Sequence, residues 1–251
     1  MIFREVYPFE IIVDALYLAE PYICFRNRDG IFLTFRIECW PIKIINIMDI
    51  AKRNLQNPIL KPSDLKPGIE GMEIVCLLNP GVFRMNGKIW LLLRVAERPK
   101  QLEGKISFPV YNDKGEIEVL HFDKNDPDLD ASDPRVIVYK NNYYLTTMSY
   151  LRLVCSDDGV NFYEDPAYPP IFGKGALEAF GIEDCRVATT EDGYFLTFTE
   201  VSSVAVGVGL IETRDFKDYI RHGMIFPPHN KDCALFEEKI GVPTALTNDA
   251  N

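Results

Sequence analysis

The sequence predicts an all-β chain of the β-propeller kind, and three observations predict it. A motif recurs at a fixed interval, hairpin-turn residues punctuate each copy, and helical periodicity is sparse. Asp133-Pro-Arg-Val followed by Tyr143-Tyr-Leu-Thr returns 51 residues later as Asp184-Cys-Arg-Val followed by Tyr194-Phe-Leu-Thr, with no gap between the two halves. An earlier copy reads Asn79-Pro-Gly-Val, followed by Asn86-Gly-Lys-Ile-Trp-Leu-Leu-Leu-Arg94, and a fainter echo is Asp29-Gly-Ile-Phe-Leu-Thr-Phe-Arg36. Self-similarity of this length is the mark of a repeat architecture.

Each copy reads as strand, tight turn, strand. Asn86-Gly87, Asn141-Asn142 and Asp192-Gly193 supply the positive φ that a two-residue hairpin turn needs. The runs that follow, Ile89–Leu93 and Tyr143–Thr147, are β-branched and aromatic, as buried strands are. Another strand and a second turn follow, as in Leu151–Cys155 and Asp157-Asp158-Gly159, or Val204–Glu212 and Thr213-Arg214-Asp215-Phe216. Four short strands per unit of about 50 residues is the pattern of a propeller blade, and about four blades are visible. A β-sandwich also has many short strands, but it does not repeat D-x-R-V at a fixed offset. The chain therefore reads as one propeller domain over 1–251, with 1–56 unassigned and the blades over 57–240. One amphipathic helix is expected at Ile44–Leu55, with Asn46 as its cap, and Asn57–Pro67 reads as a Pro-rich extended loop.

Composition sets outer bounds. At 251 residues, 47% hydrophobic and 25% charged, the chain can bury a real core. With 27 basic and 37 acidic residues the formal charge is −10, which gives no general attraction to nucleic acid or anionic membrane. The six cysteines (Cys24, Cys39, Cys76, Cys155, Cys185, Cys233) form no C-x-x-C pair and have no His at zinc spacing, so free thiols in a reducing, cytoplasmic setting are expected. Arg4, Glu5, Glu10 and Asp14 interrupt the apolar character of the first twenty residues, against a signal peptide, and no apolar run is long enough to span a membrane. The acidic loop Asp123–Asp133 lacks the Gly and terminal Glu of a calcium loop, so no metal is expected there.

The familiar nucleotide, zinc and serine-nucleophile motifs are absent, and His121, His222 and His229 stand isolated. Chemistry is left to the start of each repeat. Equivalent loops of successive blades converge at one end of a propeller channel, so Asn79, Asp133-Pro-Arg135 and Glu183-Asp184-Cys-Arg186 are expected to meet. Such a cluster combines carboxylates able to give a proton with guanidinium groups able to hold an oxyanion. The plainer alternative is that each D-x-R pairs with itself to brace the blade.

Five segments in this order, Asn79-Pro-Gly, Leu-Arg94, Ser132-Asp133-Pro-Arg135, Gly181-Ile-Glu-Asp-Cys-Arg-Val187 and Lys231-Asp-Cys-Ala-Leu-Phe-Glu-Glu-Lys-Ile240, resemble the five-bladed propellers of glycoside hydrolase family 130. The resemblance implies an inverting phosphorolysis of β-mannosides to α-mannose 1-phosphate, with inorganic phosphate as co-substrate and no cofactor. A minority of the family hydrolyses the bond with water, and an inactive propeller that binds a glycan or a protein is the reading from another class. Carried over by motif, Asp133 is the proton donor, acting through a sugar hydroxyl. Asn79, Arg94 and Asp184 hold the mannose, and Arg186 and Lys231, with Arg98 as a weaker addition, cradle phosphate. A phosphorylase needs one protein acid where an inverting hydrolase needs an acid and a base, because phosphate is already a charged nucleophile. It also needs fixed cations to hold that nucleophile in line.

The chain departs from the family pattern in two places. Cys185 stands where the family has Pro, and Gly241–Asn251 shows none of the blade expected after Ile240, as though the chain were truncated. A missing blade would expose a strand edge and favour self-association.

Overall fold

The computed structural model describes residues 54–238 and three short strands before them. The chain packs as two compact units, 1–53 and 54–251. In the first, β1 (Glu10–Ile12), β2 (Tyr22–Arg26) and β3 (Phe32–Arg36) form an antiparallel sheet in that order. The helix expected over Ile44–Leu55 lies outside the described residues, apart from Asn54 and Leu55, which stand in a turn closed by a 3.1 Å bond from the Asn57 amide to the Asn54 carbonyl. The segment Gly241–Asn251 lies outside them too.

The second unit is all-β, and its described residues include no helix beyond two three-residue 3₁₀ turns. Its strands are β4 (Met72–Met85), β5 (Lys88–Pro99), β6 (Lys105–Tyr111), β7 (Ile117–Asp123), β8 (Leu129–Asp130), β9 (Val136–Tyr139), β10 (Asn142–Leu145), β11 (Met148–Ser156), β12 (Ile182–Thr190), β13 (Gly193–Val201), β14 (Val206–Thr213) and β15 (Ile220–Phe226). They make antiparallel sheets of two to four strands, the size of propeller blades. The Asp184 copy of the repeat builds the blade expected of it, four strands in the order β12-β13-β14-β15.

The Asp133 copy folds differently. Its hairpin β9–β10 lies in a small sheet with β8, and the next strand, β11, leaves it to pair along its own whole length with β5, placing Leu151 opposite Arg94. Burial explains the departure. All nine residues of β11 are buried, whereas β10 is half-exposed, so β11 can be satisfied only beside the apolar Trp90–Leu93 of β5. Residues 100–147 thus form an excursion that leaves from β5 and returns beside it.

Two turns close one residue earlier than the sequence suggests. Asn142 pairs with Tyr139, so the β9–β10 turn is Lys140-Asn141, both at positive φ (48° and 64°). Thr190 pairs with Gly193, which makes Glu191-Asp192 the β12–β13 loop and Gly193 the first residue of the strand. The expected Asn86-Gly87 turn is present, with φ of 53° and 77°. An aromatic stack ties the two larger sheets together: Phe83 of β4 lies 4.6 Å from Phe216 and 6.4 Å from Trp90 between ring centroids.

Candidate functional site

The Asn79 and Asp184 copies of the repeat do not sit in loops. Each lies at a β-bulge inside a strand: β4 loses register between Leu78 and Gly81, and β12 between Glu183 and Arg186. The residue that carries each bulge has positive φ, 36° at Asn79 and 51° at Asp184. Asn and Asp are the non-glycine residues that tolerate that region best, which is why the motif has them there. A bulge bends its strand and re-aims a side chain. Here the two bulges face each other across the seam between the sheets. A Cβ on Gly81 would lie 3.0 Å from the Cys185 carbonyl oxygen, so this glycine is what allows the strands to close.

The seam holds a polar cluster around Arg94 of β5. Its Nη2 donates to Glu183 at 2.6 Å, its Nη1 to Asp184 Oδ1 at 3.1 Å, and its Nε to Ser149 Oγ at 3.2 Å. Asn79 Nδ2 donates to the same Asp184 oxygen at 3.0 Å. The side chains of Arg94, Glu183 and Asp184 are only 19%, 18% and 11% exposed, so the pairing is made largely out of water. Burial pushes the Glu183 carboxyl up, Arg94 opposes the shift, and Asp184 adds to it. Arg186 takes a different course from its own motif partner: Nη1 donates to the carbonyls of Asn79 (3.2 Å) and Cys185 (3.1 Å). Lys231 is exposed and pairs with Asp232 at 3.0 Å, and that pairing, with weaker pulls from Asp184 and Glu183, holds its ammonium above the usual Lys range. Cys185 is fully buried in the core, where burial pushes its thiol up, so the residue that replaces the family's Pro is packed and unreactive.

Asp133 lies on the excursion and is placed apart from the bulge pair. Its carboxylate accepts from its own neighbour Arg135: Nε and the backbone amide to Oδ1 at 3.2 and 2.8 Å, and Nη2 to Oδ2 at 3.1 Å. The Arg135 side chain and amide hold this carboxyl below the usual Asp range. The plainer reading of the repeat, an Asp–Arg brace, therefore applies to the Asp133 copy and not to the Asp184 copy. Asp133 and Arg135 line a cleft of about 480 Å³ whose other walls include Arg94, Arg98, Lys124 and Cys76. Arg98 is half-exposed and pairs with Glu73 at 2.7 Å.

The expected convergence is thus divided. Asn79, Arg94, Asp184 and Arg186 form one cluster with Lys231 at its edge, Asp133 and Arg98 line the adjoining cleft, and Arg94 belongs to both. Ser149 and Glu183 complete the grip on Arg94. Glu183 was visible in its motif without a role, and Ser149 had no signal, since its place depends on β11 crossing to β5. Among the described residues no group of three or more His, Cys, Asp or Glu could hold a metal ion.

No protein-family model matches the chain. Among characterised proteins it is 41% identical over 191 residues to a β-1,2-mannobiose phosphorylase of Listeria innocua, covering 74% of this chain and 54% of that protein. A second β-1,2-mannobiose phosphorylase, from Thermoanaerobacter, is 29% identical over 96 residues, 37% of this chain and 32% of the relative. Among solved structures, the Listeria innocua β-1,2-mannobiose phosphorylase in complex with β-1,2-mannobiose superposes with a TM-score of 0.67 at 40% identity, covering 75% of this chain and 55% of that one. Fold and sequence together place these sheets in the β-propeller class. The relatives the chain matches are β-1,2-mannobiose phosphorylases, in line with the resemblance of its motifs to glycoside hydrolase family 130. The chain spans about half the length of the Listeria relative and about a third of the Thermoanaerobacter one.

Proposed function

We propose that the protein is a glycoside phosphorylase that cleaves a β-mannoside, a β-1,2-linked mannobiose first among candidates, with inorganic phosphate. The observation that carries this reading is the sharing of Arg94 between the seam cluster and the cleft that Asp133 lines. A mannose unit at that junction would meet Asn79, Arg94 and Asp184 on one side and the Asp133 carboxyl on the other. Asp133 would give its proton to the leaving oxygen, through a sugar hydroxyl, as the C1–O bond breaks. Phosphate, held by Arg186, Lys231 and Arg98, would attack C1 from the opposite face, so that α-mannose 1-phosphate leaves with inverted configuration. The cleft volume lies within the range of small-molecule sites. The reaction needs no cofactor, and its substrates suit a cytoplasmic enzyme. No described helix is long and apolar enough to cross a membrane.

The test is the initial rate on β-1,2-mannobiose with phosphate varied. Turnover should require phosphate and release mannose 1-phosphate, and Asp133→Asn should lower it by about 10²–10⁴-fold, the usual contribution of a general acid. Equal rates with and without phosphate would refute phosphorolysis. An unimpaired Asp133→Asn would refute the acid.

A further inference from the structure

A general acid must carry its proton when the bond breaks, yet Asp133 is gripped by a guanidinium that favours the charged form. The two repeat copies make the contrast plain. In β12 the motif arginine turns away from Asp184 to backbone carbonyls, whereas Arg135 closes on Asp133 as a planar fork. The backbone under this fork is pinned from outside. Thr146 donates its amide to the Arg135 carbonyl at 3.0 Å and its hydroxyl to the Pro134 carbonyl at 2.9 Å. Only side-chain torsions remain free, and the Arg135 side chain is 84% exposed.

The other arginines of the cleft are held more firmly or face elsewhere. Arg94 is locked by Glu183, Asp184 and Ser149, and Arg98 is paired with Glu73. An ion pair this open to water is weak and screened, so an entering dianion can compete for its cation.

We propose that Arg135 is a positioning residue that holds Asp133 in a resting form and releases it when phosphate, seated on Arg186, Lys231 and Arg98, draws the exposed guanidinium away from the carboxyl. The proposal rests on the reading of Asp133 as the proton donor. Once released, the carboxyl takes a proton from solvent, gives it to the leaving oxygen as the glycosidic bond breaks, and is left as a carboxylate. Arg135 recaptures that carboxylate as the sugar phosphate departs. Phosphate thereby gates the acid as well as serving as nucleophile, which disfavours proton delivery when only water is present.

The experiment follows the Asp133 side-chain carboxyl by carbon-13 NMR titration in the full chain, the signal being assigned by its loss in Asp133→Asn. The charged groups facing it across the cleft are Arg94, Arg98, Lys124 and Arg135, with the Cys76 thiol nearby. Without phosphate the carboxyl should titrate below an ordinary Asp, and saturating phosphate should move it upward. In Arg135→Met it should start higher, phosphate should no longer move it, and phosphate affinity should fall by about 10-fold, as expected on losing a charge-assisted hydrogen bond. Arg135→Lys keeps the charge without the fork and should fall between the two. In turnover, Arg135→Met should raise the KM for phosphate and move the alkaline limb of kcat/KM to higher pH. A phosphate-induced shift that persists undiminished in Arg135→Met would overturn the proposal, as would a wild-type carboxyl that phosphate does not move. Activity retained by Asp133→Asn would sink the acid assignment instead, and the titration would show separately whether the clamp exists.

Discussion

Replacing Arg94 with Met tests whether the seam cluster is held by charge. Met fills much of the same volume but leaves Glu183 and Asp184 side by side with no guanidinium between them, where two bonds of 2.6 and 3.1 Å now run. Breaking a buried pair by removing one partner costs about 3–5 kcal/mol. About a fifth of the Arg94 and Glu183 surface still meets water, so we expect about 3 kcal/mol at pH 7, the low end of that range. The loss should depend on pH, and the sign follows from Glu183. Burial already raises its folded carboxyl above the unfolded value, so the folded state binds the proton more tightly. Its contribution to stability therefore falls as pH rises from the unfolded pKa through the folded one. Removing Arg94 widens that window upward, so the variant should recover part of its deficit on acidification from pH 7 to 5. Urea unfolding of wild type and variant at both pH values measures this. A deficit below about 1 kcal/mol, as for an exposed pair, or one equal at the two pH values, would refute the view that the cluster is a desolvated charge network.

Two further outcomes concern the frame of the site. Gly181 sits at φ +99°, and a Cβ there would collide with the Ser149 backbone, so Gly181→Ala should destabilise by at least ~1 kcal/mol. It should also loosen Ser149 from Arg94 and, on the function proposed above, weaken β-1,2-mannobiose binding, which isothermal titration would show. Phe216→Ala removes the ring that stacks on Phe83 at 4.6 Å and should cost about 3–5 kcal/mol in chemical denaturation. A loss under ~1 kcal/mol would mean that this stack does not join the sheets.

What the sequence disclosed, and what it hid, divides along local and non-local lines. The four-stranded blade from Ile182 to Phe226 was legible because alternation and turn residues are neighbours in the chain. The turns at Asn141 and Asp192 were found but placed one residue late, since an Asn-Asn or Asp-Gly pair marks a turn without fixing which residue opens the next strand. The crossing of β11 to β5 was not legible. It is decided by burial on both faces of β11, a property of the folded sheet and not of any short window. The site shows the same division. Asn79 and Asp184 read as loop residues at the start of each repeat, whereas the structure makes them the apexes of facing bulges at positive φ inside strands. The motif gave no sign that Asp133 would close on its own arginine while Asp184 turns to Arg94, because both copies share the D-x-R pattern.

The excursion between β5 and β11 has a consequence for how such a protein can diversify. Both of its ends are fastened to one strand pair, so it behaves like a bracket screwed to a wall. The bracket can lengthen, shorten or tilt while its two fixings stay put. The seam grips through side chains of β4, β5, β11 and β12, and it would keep its shape while the Asp133 hairpin is re-angled above it. Variation along residues 100–147 can therefore reshape the wall that Asp133 and Arg135 give the cleft, while the cluster of Asn79, Arg94 and Asp184 stays as it is.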